Sequence, residues 1–147
     1  YYTAPCADLA QMLCERTGMK NVFFSNSGAE ANETAIKVAR KYAFLKNGSE
    51  EKSNIITLKN SFHGRTLATL SATGQDVFHT QFLPLTDGFV YAEANNFEQV
   101  KQLALENKAA AIMFEVVQGE GGVNPLDADY LKALAAYAEE NDLLLSL

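Results

Sequence analysis

Three short segments concentrate residue types that bind anions, lie against flat rings or hold carboxylates. The first, Phe24-Ser25-Asn26-Ser27-Gly28-Ala29-Glu30-Ala31-Asn32-Glu33, passes from an apolar stretch through small polar residues into a helical pattern. A helix that starts at Gly28 or Ala29 presents free N–H groups and the positive end of its dipole, which suits a phosphate. Gly28 has no side chain to keep such a group from the backbone. The same residues also fit a purely structural role, because Ser27 and Glu30 have the spacing of a capping box. A dinucleotide site is disfavoured, since a single glycine stands where G-x-G-x-x-G is needed.

The second segment is Ser61-Phe62-His63-Gly64-Arg65-Thr66. Phe62 can stack on a planar heterocycle, and Arg65 can grip a carboxylate with two parallel hydrogen bonds. Each residue taken singly also reads as ordinary structure: a core aromatic, a helix-entry histidine and a solvated charge. Neither His63 nor His79 has a partner at metal-ligand spacing. The third segment is Glu115-Val116-Val117-Gln118-Gly119-Glu120-Gly121-Gly122. Glu115 falls within an apolar run, where a carboxylate is costly unless something satisfies it. Glu120 sits among glycines in a loop free to take unusual backbone angles, or simply in a solvated turn.

These residues must be held by the elements around them. Strands are expected at Val22–Ser25, Asn54–Leu58, Phe89–Ala92, Ala110–Val117 and Leu143–Leu147, most of them continuous apolar runs, as in strands covered on both faces. A helix is expected from Ala29 to about Leu45, with a buried stripe of Ala31, Ala35, Val38, Ala39 and Tyr42, closed by Asn47-Gly48. Asn96 can cap a second helix with Phe97, Val100, Leu103 and Ala104 on one face. Asp127 can cap a third, with a stripe of Leu131, Leu134, Ala135 and Ala138. Helices alternating with buried strands imply βαβ units and a mostly parallel sheet: an α/β fold in one continuous region. Its ligand sites are expected where strands end and helices begin.

Composition narrows the partners. The 147 residues are 48% hydrophobic and 20% charged, as in a globular protein with a real core. A net charge of -6 argues against nucleic acid, and no basic stripe or long apolar span points to a membrane. Cys6 and Cys14 fall in one helical stretch, with Cα atoms roughly 12 Å apart, too far for a disulfide. They read as buried or inert thiols of a reducing, cytoplasmic compartment. The apolar run Leu143-Leu144-Leu145-Ser146-Leu147 at one end and Tyr1-Tyr2-Thr3 at the other suggest a piece of something longer.

In this order and spacing, the three segments resemble the class III (ornithine-type) pyridoxal-phosphate-dependent aminotransferases, nearest their acetylornithine branch. Asn26–Glu33 is similar to that family's phosphate loop, Phe62–Thr66 to its F-H-G-R segment and Gln118–Gly122 to its Q-G-E-G-G segment; the likeness runs along the whole chain. Two departures are minor. Val116 stands where many relatives carry proline, and Ala29 where threonine or valine is common.

The resemblance implies that residues 1–147 are the central part of the large cofactor-binding domain of a fold-type I aminotransferase, without its small domain. It implies pyridoxal 5'-phosphate as cofactor, contacted by Ser27, Gly28, Ala29, Phe62 and Glu115, with Arg65 and Glu120 on the substrate side and no metal. The implied parent reaction moves the terminal amino group of N-acetylornithine to 2-oxoglutarate, in a cytoplasmic homodimer of arginine biosynthesis. Ornithine, succinylornithine or 4-aminobutyrate is the alternative amino donor, and a non-catalytic binding module is the alternative of another class. In the family, the aspartate that pairs with the pyridine nitrogen and the lysine that anchors the cofactor come after the position of Leu147. This chain alone is therefore expected to be inactive.

Overall fold

The computed structural model describes residues 3–147; Tyr1 and Tyr2, part of the expected domain, lie outside the described residues. In chain order the first elements are α1 (Ala4–Thr17), α2 (Gly28–Asn47), β1 (Asn54–Leu58), α3 (Leu67–Ala72) and β2 (Phe89–Ala92). They are followed by α4 (Phe97–Glu106), β3 (Ala109–Met113), β4 (Val117–Gln118), β5 (Asn124–Pro125), α5 (Ala128–Asn141) and β6 (Leu144–Ser146). A parallel four-stranded sheet in the order β2-β1-β3-β6 carries the fold, and β4 and β5 form a small antiparallel pair. The α/β class and the largely parallel sheet are as the sequence implies.

Strand order dictates which face each helix covers. The chain steps from β1 outward to β2, returns across β1 to β3, and continues outward to β6. Right-handed crossovers taken in opposite directions lie on opposite faces. Accordingly Ile55, Ala111 and Met113 pack with Ile36 and Ala39 of α2 and Ala72 of α3. On the other face Ile56, Leu58, Ala92 and Ile112 pack with Val100 and Ala104 of α4 and with Tyr130, Leu134 and Ala138 of α5. Alternate residues of one strand thus serve two cores, which is why the strands of this sheet are mostly apolar. Burying a side chain such as Ile56 or Leu134 contributes about 2 kcal/mol over leaving it in water.

Local chemistry starts and stops the helices. Ser27 Oγ accepts the Glu30 N–H at 3.2 Å to open α2, and Gly48, left-handed at φ 68°, closes it. Asn96 Oδ1 accepts the Gln99 N–H at 3.1 Å to open α4. Asp127 precedes α5 without a side-chain cap bond.

Several expectations need correction. Val22–Ser25 is not a strand: no strand of the sheet lies beside it to pair with, and Phe23 is 72% exposed. The expected strand Ala110–Val117 is Ala109–Met113: its pairing with β1 runs to Ile112 and its pairing with β6 to Met113, the partner of Ser146 at the end of β6. Glu115 follows the strand rather than lying in it, and Val117 pairs with β5 instead. The α2 stripe is Ile36, Ala39 and Ala43, whereas Ala31, Val38 and Tyr42 are exposed. Apolar residues surround this helix, so periodicity could not choose the face that meets the sheet. In α5, Tyr130 is buried and Ala135 exposed for the same reason. Cys6 is exposed rather than buried, since α1 buries no residue. Strand β6 lies at a sheet edge, and no helix among the described residues is long and apolar enough to cross a membrane.

Candidate active site at the strand switch point

The connection after β1 leaves toward the α3 face, and the connection after β3 leads to α5 on the opposite face. Such a reversal opens a crevice at the carboxyl ends of the two neighbouring strands, the usual ligand position in an open parallel sheet. The second segment follows β1 directly and the third follows β3.

The two are tied together at that crevice. Glu115 Oε2 accepts the Phe62 N–H at 2.9 Å. Gln118, 2% exposed, donates from Nε2 to Lys59 O at 2.9 Å. Gln75 Nε2 donates to Ser61 O at 3.1 Å and also to the Glu120 carboxylate. Gly121 passes so close to β1's exit that a Cβ there would lie 2.2 Å from Asn60 O, so only glycine fits.

The start of α2 joins the same cluster from the side. Asn32 Nδ2 donates to His63 O at 2.7 Å, and Thr66 Oγ1 donates to the Glu33 carboxylate. Gly64, at φ 134°, packs so tightly that a Cβ would come within 2.9 Å of Ala29 Cβ and 2.6 Å of Thr69 Oγ1. His63 N donates to Thr73 Oγ1 at 2.9 Å. Capping and anion binding are compatible in the first turn of α2. Ser27 caps Glu30, and the Glu30 carboxylate accepts from Asn26 N at 2.7 Å and Asn26 Nδ2 at 3.0 Å. The N–H groups of Gly28 and Ala29, among the first of the helix, have no intrahelical acceptor. A Cβ added at Gly28 meets nothing within 4 Å.

Charge and burial distinguish the individual groups. Burial pushes the Glu115 carboxyl above its ordinary value; the Phe62 and Gly119 N–H groups oppose that and the negative Glu120 adds to it. His63 is 4% exposed, and burial lowers its imidazole to about 4, so it is neutral at physiological pH. Its Nε2 has no hydrogen-bond partner. Phe62 meets Phe78 edge to face, with centroids 5.7 Å apart. The Arg65 guanidinium stands 5.8 Å from the Phe62 ring and 5.2 Å from the Phe78 ring. Arg65 is exposed and forms no ion pair among the described residues.

The structure therefore brings Ala29 against Gly64, Glu115 to Phe62, Arg65 over Phe62, and Glu120 to Gln75. Ser27 uses its hydroxyl within its own helix. Sequence reasoning missed Asn32, Thr73, Gln75, Gln118 and Phe78 as parts of this cluster. Asn32 and Gln118 both stood inside recognised segments, so both carried a signal. Thr73, Gln75 and Phe78 carried none.

Known proteins are similar to this chain in sequence and fold. A family model described as aminotransferase class-III matches residues 1–146. The chain is 53% identical over 145 residues to the acetylornithine aminotransferase of Haemophilus ducreyi, covering 99% of this chain and 37% of that protein. It is 49% identical over 147 residues to that of Caldanaerobacter subterraneus, covering 100% of this chain and 37% of the relative. It superposes with a TM-score of 0.91 and 29% identity on an ornithine aminotransferase of Toxoplasma gondii, described as having partial occupancy of PLP at its active site; the match covers 99% of this chain and 35% of that one. The chain thus spans little more than a third of these relatives, 37% in the first two. Matched along nearly its whole length by sequence and by fold, the chain belongs to the class III aminotransferase family.

Proposed function

We propose that the protein containing this chain is a pyridoxal-phosphate-dependent aminotransferase that moves the terminal amino group of N-acetylornithine to 2-oxoglutarate, and that residues 1–147 are the central part of its large domain. The observation that carries this is the meeting of all three segments at the β1/β3 switch point in a chain 53% identical to an acetylornithine aminotransferase. The residues present fit the cofactor. Gly28 leaves open space in front of α2, and the Gly28 and Ala29 N–H groups lack intrahelical partners.

When bound, pyridoxal phosphate supplies the electron sink for carbanion chemistry. Ser27, Gly28 and Ala29 hold its phosphate end. Phe62 covers one face of the ring, with its main chain held by Glu115. Arg65, exposed and unpaired among the described residues, takes the substrate carboxylate. Glu120, tied to Gln75, borders the substrate's approach and limits which donors enter. Residues 1–147 by themselves are inactive on this assignment. The enzyme acts as a homodimer in the cytoplasm.

Steady-state kinetics of the full-length protein with acetylornithine, ornithine, succinylornithine and 4-aminobutyrate test the assignment. The expected result is the highest kcat/KM for acetylornithine. A preference for 4-aminobutyrate overturns the substrate, and no transamination with any donor overturns the activity.

A further inference from the structure

The geometry points to Glu115 as a positioning residue that acts through the main chain of Phe62, setting the stacking aromatic against the cofactor ring. This rests on the cofactor assignment proposed above. Three observations carry it. Glu115 stands two residues beyond β3 and sends its carboxylate sideways across the switch point to the Phe62 N–H, 2.9 Å away. That bond joins the exits of two adjacent strands, alongside the bond from Gln118 Nε2 to Lys59 O. Phe62 is also the residue whose ring Arg65 and Phe78 meet, so a shift of its main chain moves the ring and the guanidinium together.

The role asks for an acceptor atom at the correct reach, and it does not ask for a negative charge. An N–H donates equally well in direction to a carboxylate or to an amide oxygen, though the charged acceptor binds it more strongly. Glutamine at position 115 keeps the reach and gives up the charge. Aspartate keeps the charge and is one methylene too short.

Glu115→Gln, Glu115→Asp, Phe62→Leu and the doubly substituted Glu115→Asp/Phe62→Leu full-length enzymes would be compared for pyridoxal phosphate affinity and for the visible circular dichroism of the bound cofactor. Glu115→Asp is expected to weaken affinity roughly tenfold and to change the dichroism, as loss of a hydrogen bond to a charged group does. Glu115→Gln is expected to stay within about threefold of the wild type and to keep its spectrum. In the double variant the two losses overlap, so its affinity is expected within about twofold of the Phe62→Leu enzyme. Glu115→Asp outperforming Glu115→Gln, or losses that multiply in the double variant, overturns the inference, because Glu115 then acts by its charge or independently of Phe62. A wild-type enzyme that binds no pyridoxal phosphate overturns the cofactor assignment instead.

Discussion

Asn32, in the first turns of α2, donates its side-chain N–H to the main-chain oxygen of His63, 2.7 Å away in the loop after β1. With the bond from Thr66 Oγ1 to Glu33, this bond fastens the start of α2 to the loop after β1. Replacing Asn32 with Ala leaves the His63 carbonyl, within a part-buried pair, without that donor. A cost of about 1–2 kcal/mol is expected. Asn32→Asp is expected to be worse, because a carboxylate oxygen then faces a carbonyl oxygen. Thermal midpoints of the full-length variants check the order wild type, Ala, Asp; an Asp variant as stable as the wild type contradicts the role.

His63 makes stability depend on pH in a defined direction. Burial lowers its imidazole from 6.5 to about 4 in the folded protein, so the folded state refuses a proton that the unfolded chain accepts. Its contribution is fully present above about 6.5 and is lost as pH falls toward 4. The span corresponds to at most about 3 kcal/mol. Midpoints measured across this window should fall less steeply with acidification in His63→Leu than in the wild type. Parallel curves would falsify the assignment of this acid sensitivity to His63.

On the proposed cofactor site, substitution at Gly28 separates folding from ligand binding. A side chain there meets no atom of the chain, so Gly28→Val is expected to change the stability of the cofactor-free protein by no more than about 0.5 kcal/mol. The same side chain occupies the space in front of α2, and affinity for pyridoxal phosphate is expected to fall at least about tenfold. Equal affinity for wild type and variant means that the phosphate does not sit there.

Arg65 rests its guanidinium against Phe62 and Phe78 and pairs with no acid among the described residues. Arg65→Ala should raise the KM of the amino donor about ten- to a hundredfold, the scale of a lost charged hydrogen-bonding pair. Cofactor affinity should change by about threefold or less, since only a ring contact is lost. A similar loss of both would assign Arg65 to the cofactor.

The sequence by itself determined what depends on residues within one helical turn of each other. Ser27 and Asn96 open their helices and Gly48 closes one, because a side-chain oxygen or a left-handed glycine acts on neighbours three or four positions away. Nearly continuous apolar runs at Asn54–Leu58 and Phe89–Ala92 marked strands covered on both sides, which was enough to imply a parallel α/β sheet. The three segments were legible as candidates from composition and spacing, and their family from resemblance.

Tertiary structure decided what depends on a neighbour distant in the chain. A strand needs a partner to pair with, so Val22–Ser25 formed none and the strand at Ala109 stopped at Met113, its last residue paired with β6, leaving Glu115 beyond it. The contact of α2 with the sheet selected Ile36, Ala39 and Ala43 from a helix apolar on several sides. The reversal of strand order at β1 brought Glu115 to Phe62, 53 residues earlier, and Asn32 to His63, 31 residues later. No local period encodes those distances, because they are set by the order in which strands lie side by side.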